Sequence, residues 1–355
     1  MKITPFHPKS ASQEDWARFH AFRRLRHKET DPEDPVPDDS TTQQWMKHGD
    51  PQTEVFRFAA FRAEDPDTIA GWLDFSIYTK DSPTYEKRKR EARVKLQVLK
   101  PYRHRGIGKR LLRKATELAR RHEKSLIFLD SSEDEGKAFL RAIGAQVAQR
   151  ERESRLYLDR VDWRLVETWA EEGPRRSPNS SLHWFRDHMG EAVLEDYSRL
   201  LTEVVNQAPR DDLEMGDMVF TPEIIREWEE TAVRMGGTTI TAVTREADGA
   251  LSGLTEMGYF PDQETMIRQF MTGVGEPYRG RGLGKWLKAV MLLRVREEYP
   301  QVRVVVTGNA TSNAAMLSIN ERLGFRFHRE GISAQMTLES LENYLSRQGR
   351  IGMVE

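Results

Sequence analysis

Two short stretches have the residue types and spacing to hold an anion. Pro101–Leu112 reads PYRHRGIGKRLL, and Pro277–Lys288 reads PYRGRGLGKWLK. In each, glycines alternate with other residues just ahead of a helical pattern: Gly106 and Gly108 in one, Gly280, Gly282 and Gly284 in the other. A glycine turn running into a helix leaves backbone N–H groups unpaired and adds about half a positive charge, so phosphate is its natural guest. Two nucleotide motifs fail on spacing. A Walker A loop needs four residues between its glycines and a hydroxyl residue after its lysine; Gly280 and Gly284 enclose three, and Trp286 follows Lys285. A dinucleotide fingerprint needs a third glycine where Lys285 stands. The chain has no cysteine, which excludes a thiolate nucleophile, cysteine-ligated metal and a disulfide scaffold. His183 and His188 lack the glutamate of a zinc-protease helix, so no metal site is expected.

The elements that must position these turns are repeated with them. Upstream, AGWLDFSIY (Ala70 to Tyr78) parallels SGLTEMGYF (Ser252 to Phe260), which sets Asp74 opposite Glu256. Downstream, FLRAIGA faces INERLGF, with Gly144 opposite Gly324. The order is the same in both halves, so the chain reads as two copies of one domain of about 170–180 residues, at 1–172 and 173–355. Trp169 to Ser181, rich in Gly, Pro and Ser, is the expected linker, with a boundary near Gly173. Each copy reads as helices, strands, the turn, a long helix, a strand, a short helix and a final strand pair. In the second copy, Thr221 caps a helix that Pro222 begins. Strands are predicted at Thr238 to Thr244, Ser252 to Phe260 and Met266 to Val274, with a turn at Asp248-Gly249. A helix buries Trp286, Leu287, Val290, Met291 and Leu293 and stops at Pro300; a strand follows at Val302 to Gly308, then a helix from Asn313 to Leu323 that Gly324 ends.

At these residues the chain resembles the GNAT superfamily of N-acyltransferases, whose turn is (Gln/Arg)-x-x-Gly-x-(Gly/Ala). Arg103, Gly106 and Gly108 fit it, as do Arg279, Gly282 and Gly284. The resemblance spans both copies and rests on MTGV, PYRGRGLG, the helix, TGNATSN and NERLGF taken in order. The tandem layout is similar to that of the mycothiol-synthase-type branch. The resemblance implies an α/β (α+β) fold of two tandem domains, each a mixed, mostly antiparallel sheet flanked by helices. It implies acetyl-CoA as cosubstrate and no metal. Arg279, Gly280, Arg281, Gly282, Leu283, Gly284 and Lys285 would hold its pyrophosphate. Val98, Arg103, Arg105, Gly106, Ile107, Gly108 and Lys109 are their counterparts in the first copy. The Thr272 N–H would polarise the thioester carbonyl, and Val274 would bond the pantetheine. Asn309 and Asn313 would flank the opening, or serve as a turn residue and a helix N-cap. Members of this family often place a tyrosine where Asn320 stands, to reprotonate the leaving thiolate. An amide supplies no proton, which leaves that task to water or to another group such as Tyr259.

The acceptor sets the second barrier. A free alkyl amine has a pKa near ~10, so deprotonation at pH 7 costs roughly 4 kcal/mol and calls for a base. Glu256, the lone carboxylate of an apolar strand, is the candidate, with Asp74 its weaker counterpart. The first copy also departs at Leu140 and Ala145, and Asp130, Glu133, Asp134 and Glu135 crowd its cofactor mouth. The basic cluster Lys87 to Arg90, Lys109, Arg110, Arg113 and Lys114 reads as a solvated face, or as a contact for CoA phosphate or RNA. These features make the second copy the expected catalyst and the first a scaffold or regulatory binder. The expected activity is acetyl transfer to a primary amine of a small molecule. The alternatives are a protein or peptide amine, and a CoA-sensing module without turnover. Lys plus Arg total 55 against 56 for Asp plus Glu, so no global field favours nucleic acid or an acidic membrane. No apolar run approaches the ~20 residues of a membrane span, and a cytoplasmic protein is expected.

Overall fold

The computed structural model describes residues 1–351 and separates into two compact units. The first comprises Met1–Arg150, Asp211–Gly216 and the chain from Gly331 onward; the second comprises Glu151–Arg210 and Asp217–Glu330.

The first unit opens with β1 (Lys2–Phe6), α1 (Gln13–Thr30), α2 (Asp39–His48), β2 (Thr53–Arg62) and β3 (Asp65–Tyr78). It continues through α3 (Tyr85–Arg88), β4 (Glu91–Val98), α4 (Ile107–Arg121), β5 (Leu126–Ser131) and α5 (Asp134–Ala142). The strands pair in chain order from β1 to β5, all antiparallel except β4 with β5. The row is closed from the far end of the sequence: Ile332–Thr337 lies antiparallel to Ser131–Leu126. One face carries α4, whose Leu111, Leu112, Ala115 and Leu118 pack on Leu73, Phe75, Val94 and Leu129. The other carries α1, whose Trp16, Phe19 and Phe22 cover Phe6 and Trp72.

The second unit takes the greater part of β6 (Gln146–Tyr157), then α6 (Trp163–Arg176), β7 (Ser180–Arg186), α7 (Glu191–Asn206) and α8 (Pro222–Arg234). There follow β8 (Thr238–Glu246), β9 (Leu251–Tyr259), β10 (Met266–Val274), α9 (Leu283–Glu298), β11 (Val304–Ala310) and α10 (Ala314–Leu323). The next strand, β12 (Arg326–Thr337), and α11 (Leu338–Ile351) are the last elements among the described residues. Here β7 to β11 pair in chain order, again with one parallel step, β10 with β11. Glu151–Tyr157 of β6 closes this row against β11. Leu287, Met291, Leu292 and Val295 of α9 pack on Ile240, Met257 and Ile267, with Val166 and Trp169 of α6 in the same cluster. On the opposite face, Leu194, Tyr197 and Leu201 of α7 and Ile224 of α8 cover Val243 and Leu254.

The units are therefore not consecutive halves meeting near Gly173. Gly173 is buried inside α6, where a Cβ would lie 2.1 Å from Cγ of Trp286. Its role is close packing of α6 on α9, and Pro174 is accommodated in the last turn of that helix. Composition alone made this Gly-Pro pair look like a linker. The strands and helices predicted by position between Thr221 and Leu323 are present to within two residues at each end, but one long strand, β12, stands where a final strand pair was expected. Asn313 caps α10, and Gly324 ends it with φ +98°.

Candidate active site

In the second unit, β10 and β11 pair at Met266–Val304, Ile267–Val305 and Arg268–Val306 and then part. Past that point β10 is held by β9 alone and β11 by β6 alone, so a gap opens toward the Gly-rich turn. At the mouth of the gap β10 contains a bulge: its register against β9 shifts between Gln269 and Thr272. Gln269 stabilises the bulge. Its Nε2 donates to the Glu256 carbonyl at 2.7 Å, to Thr255 Oγ1 at 3.1 Å and to the Met271 carbonyl at 3.2 Å. The Thr272 hydroxyl lies 2.8 Å from that of Thr255. A bulge leaves ladder groups unpaired, which is the backbone condition for donating to a ligand.

The turn itself is built for main-chain contacts. Gly280 and Gly282 adopt φ of +77° and +87°, values that glycine reaches without a Cβ penalty. Gly282 starts α9 with no side-chain cap. The arginine side chains are engaged elsewhere. Arg279 Nε donates to the Val274 carbonyl at 3.2 Å, and its terminal nitrogen to Gln207. Arg281 reaches Ser180 at 2.8 Å and Glu246 at 3.0 Å. Lys285 lies over the Trp169 ring, and its pKa is lowered by burial and by the charges of Arg322 and Arg176. Leu283 is buried, and Gly284 faces Val274 and Ile319.

Of the expected polar residues, Asn309 and Asn320 are brought together: Asn320 Nδ2 donates to Asn309 Oδ1 at 2.8 Å. Asn320 is buried, and its own Oδ1 has no hydrogen-bond partner. Asn313 accepts from the Met316 N–H at 3.2 Å, the N-cap role. Tyr259 is not brought to this cluster. It lies on the opposite face of β9 from Glu256, stacked with Tyr299 at 4.7 Å and bonded through its hydroxyl to Gln301 at 2.8 Å.

Glu256 faces α7, where it accepts a hydrogen bond from the Tyr197 hydroxyl at 2.9 Å. Burial raises its pKa above the ordinary glutamate value of 4.5; Tyr197 and Thr241 oppose that shift, and the nearby charge of Glu229 adds to it. Among the described residues no cation pairs with it. Tyr197, Gln269 and Lys288 are features that reading the sequence missed. Lys288 is 1% exposed beneath the Phe325 ring, and burial brings its pKa down to about 7. The signal was present: Lys288 falls in the repeat where the first copy has Leu112.

The first unit keeps the frame and changes the fittings. β4 and β5 pair from Glu91–Leu126 to Val94–Leu129 and then part, but β4 carries no bulge against β3. A cavity of about 330 Å³ fills the gap, bordered by Val98, Arg103, Gly106, Ile107, Gly108 and Lys109 among others. His104 takes the place of Gly280 and is forced to φ +59°. Arg103 Nε donates to the Val98 carbonyl at 3.2 Å, repeating the Arg279 contact, but its outer nitrogen meets Glu133 at 2.6 Å. Glu133 also pairs with Arg26. Burial alone would raise the Glu133 pKa, yet the two arginines bring it below its ordinary value. The acidic residues at this mouth are thus largely neutralised, Asp130 by Arg93 at 2.6 Å. Asp74 occupies the Glu256 position but is bonded by Trp72 Nε1 at 2.7 Å and lies 3.7 Å from Arg57. The basic cluster is likewise partly paired: Arg88 with Glu91, Lys89 with Glu86 and Lys114 with Glu117.

The parted parallel strands, glycine turn and following helix, present in both units, define the fold of a GNAT acetyltransferase. Residues 16–144, within the first unit, match the model of the acetyltransferase (GNAT) family, a family that uses acetyl-CoA as cosubstrate, and the second unit repeats the same fold. Among solved structures, it is similar to a tandem GNAT protein from the clavulanic acid biosynthesis pathway, at 23% identity and TM-score 0.75 over 95% of this chain and 98% of that one. A GCN5-related N-acetyltransferase from Sphaerobacter thermophilus follows at 14% identity and TM-score 0.60, covering 95% of each chain. A glucosamine N-acetyltransferase region of a fungal multi-domain β-N-acetylglucosaminidase gives 12% and 0.62 over 94% of this chain and 38% of that one. No curated protein matches. Among the described residues there is no group of three or more metal-ligating side chains, and no helix is long and apolar enough to cross a membrane.

Proposed function

We propose that the second unit transfers the acetyl group of acetyl-CoA to a primary amine of a small molecule, and that the first unit binds CoA without turnover. The observation that carries this assignment is the bulge at Gln269–Thr272 beside Glu256, a carboxylate with a raised pKa and no paired cation among the described residues. Amides of Gly280 to Lys285 hold the pyrophosphate, since the side chains of Arg279 and Arg281 are committed to protein partners. Val274 bonds the pantetheine, and the Thr272 N–H donates to the thioester carbonyl. One preorganised donor of this kind is worth roughly 3–4 kcal/mol in acyl transfer.

Glu256 takes the proton of the attacking amine, directly or through one water. Its raised pKa makes its carboxylate a stronger base than that of an exposed glutamate. As the C–N bond forms, the C–S bond breaks and its electron pair leaves with sulfur. A thiol of pKa near ~8.5 needs little help to regain a proton at pH 7, so water suffices where Asn320 replaces a tyrosine. Asn320 and Asn309 serve as a polar lining of the gap. In the first unit an unbulged β4 and an ion-paired Asp74 withhold both the aligned donor and the base, while the turn and cavity remain.

The test is release of free CoA by the purified chain across a panel of small amines, alongside calorimetric titration with CoA. Turnover on at least one amine is expected. Tight CoA binding with no turnover on any amine supports instead a sensor, and no CoA binding overturns both assignments.

A further inference from the structure

Resting on that assignment, we propose that Phe270 selects the acceptor, forming the apolar wall of a subsite whose floor is Glu256 and which takes a primary amine flanked by an apolar segment. Phe270 is 48% exposed, a large ring left open to solvent in the middle of the bulge. Its position is built, because Gly258 lies beneath it. A Cβ on Gly258 would fall 2.5 Å from both Cε2 and Cζ of the ring, so only glycine lets Phe270 lie against the strand. Gly258 follows Glu256 by two residues on β9, which puts both on one face about 7 Å apart. It is the face of Leu254 and Tyr197, opposite the α9 side.

The subsite thus joins an exposed ring to a buried carboxylate, with the charge of Glu229 close enough to act on Glu256. An ammonium group is drawn to the floor, and the carbon chain next to it covers the ring and displaces its water. The first unit has no such feature. Its β4 is unbulged, and Ser76 stands where the repeat places Gly258.

The experiment compares phenethylamine with ethanolamine as acceptors for wild type, F270A, F270L and G258V, with CoA titration and thermal unfolding run on each. Wild type is expected to favour phenethylamine by about tenfold or more in kcat/KM. F270A should raise the KM for phenethylamine about tenfold, change the ethanolamine rate less than about threefold, and leave kcat and the acetyl-CoA KM in place. F270L should keep most of the preference, whereas G258V, which lifts the ring, should repeat the F270A defect in a folded chain. Equal effects of F270A on the two amines, or none, overturn the proposal. If wild type binds CoA and acetylates neither amine, the failure lies instead with the small-amine assignment on which the proposal rests.

Discussion

The two units share a fold, a turn and a parted strand pair, yet differ at each point where acetyl transfer makes demands. Beside the gap, the second unit has a bulge, a carboxylate that no described cation pairs with and that Tyr197 bonds, and Asn313 as helix cap. The first has a regular strand, an ion-paired Asp74, and Glu133 at the corresponding cap position locked between Arg26 and Arg103. The family model nonetheless matches residues 16–144, within the first unit. Resemblance to the family tracks the residues that shape the fold, whereas the chemistry we propose hangs on one inserted residue in a strand and on the partners of one carboxylate.

The sharpest way to break this contrast is to treat the two carboxylates alike. Glu256→Gln should lower the turnover rate by about 10²–10⁴ at pH 7 and by much less at pH 9, where more free amine is present. Wild-type activity should climb with pH along a limb lying above the ordinary glutamate value, because the Glu256 pKa is raised. Asp74→Asn should leave turnover within about twofold; a loss as large as that of Glu256→Gln would move catalysis to the first unit. Next come the turns. Gly282→Glu should abolish turnover and Gly106→Glu should not, while calorimetry shows each variant losing half of the CoA bound per chain. Loss of all binding in either variant would mean a single site.

Smaller effects test the fittings that do no chemistry. Lys288 is held near pH 7, against 10.5 when unfolded. Between those values the unfolded chain binds the extra proton, so stability should rise by about 1.4 kcal/mol per pH unit and stay level below that window. Lys288→Leu, which copies Leu112, should gain about 1–3 kcal/mol near neutral pH and flatten the profile, read by urea denaturation at several pH values. A slope that survives the substitution would belong to another group. Smallest is His104→Gly, which relieves a left-handed backbone that the second unit gives to Gly280; a gain of about 0.5–1 kcal/mol is expected after the entropy cost of glycine.

Much of this contrast was legible in the sequence. The repeat, both turns, the helix caps at Thr221 and Asn313, and the alignment of Asp74 with Glu256 follow from residue types at fixed spacing. What was not legible depends on register and on partners distant in sequence. A bulge changes strand pairing by one residue without any composition signal, so Gln269 and Phe270 read as ordinary strand positions. The neutralisation of Glu133 needs Arg26, more than 100 residues away. Gly173-Pro174 looked like punctuation because nothing local shows that Trp286 presses against it.

The first unit's closing strand, Ile332–Thr337, comes from the far end of the chain, whereas the second unit's, Glu151–Tyr157, opens its own stretch of sequence. Ending the chain before Gly331 would strip the first unit of that strand and leave Leu126–Ser131 with a row of unsatisfied amides and carbonyls. The last stretch of the chain is thus indispensable to the unit that opens it, whatever chemistry that unit performs.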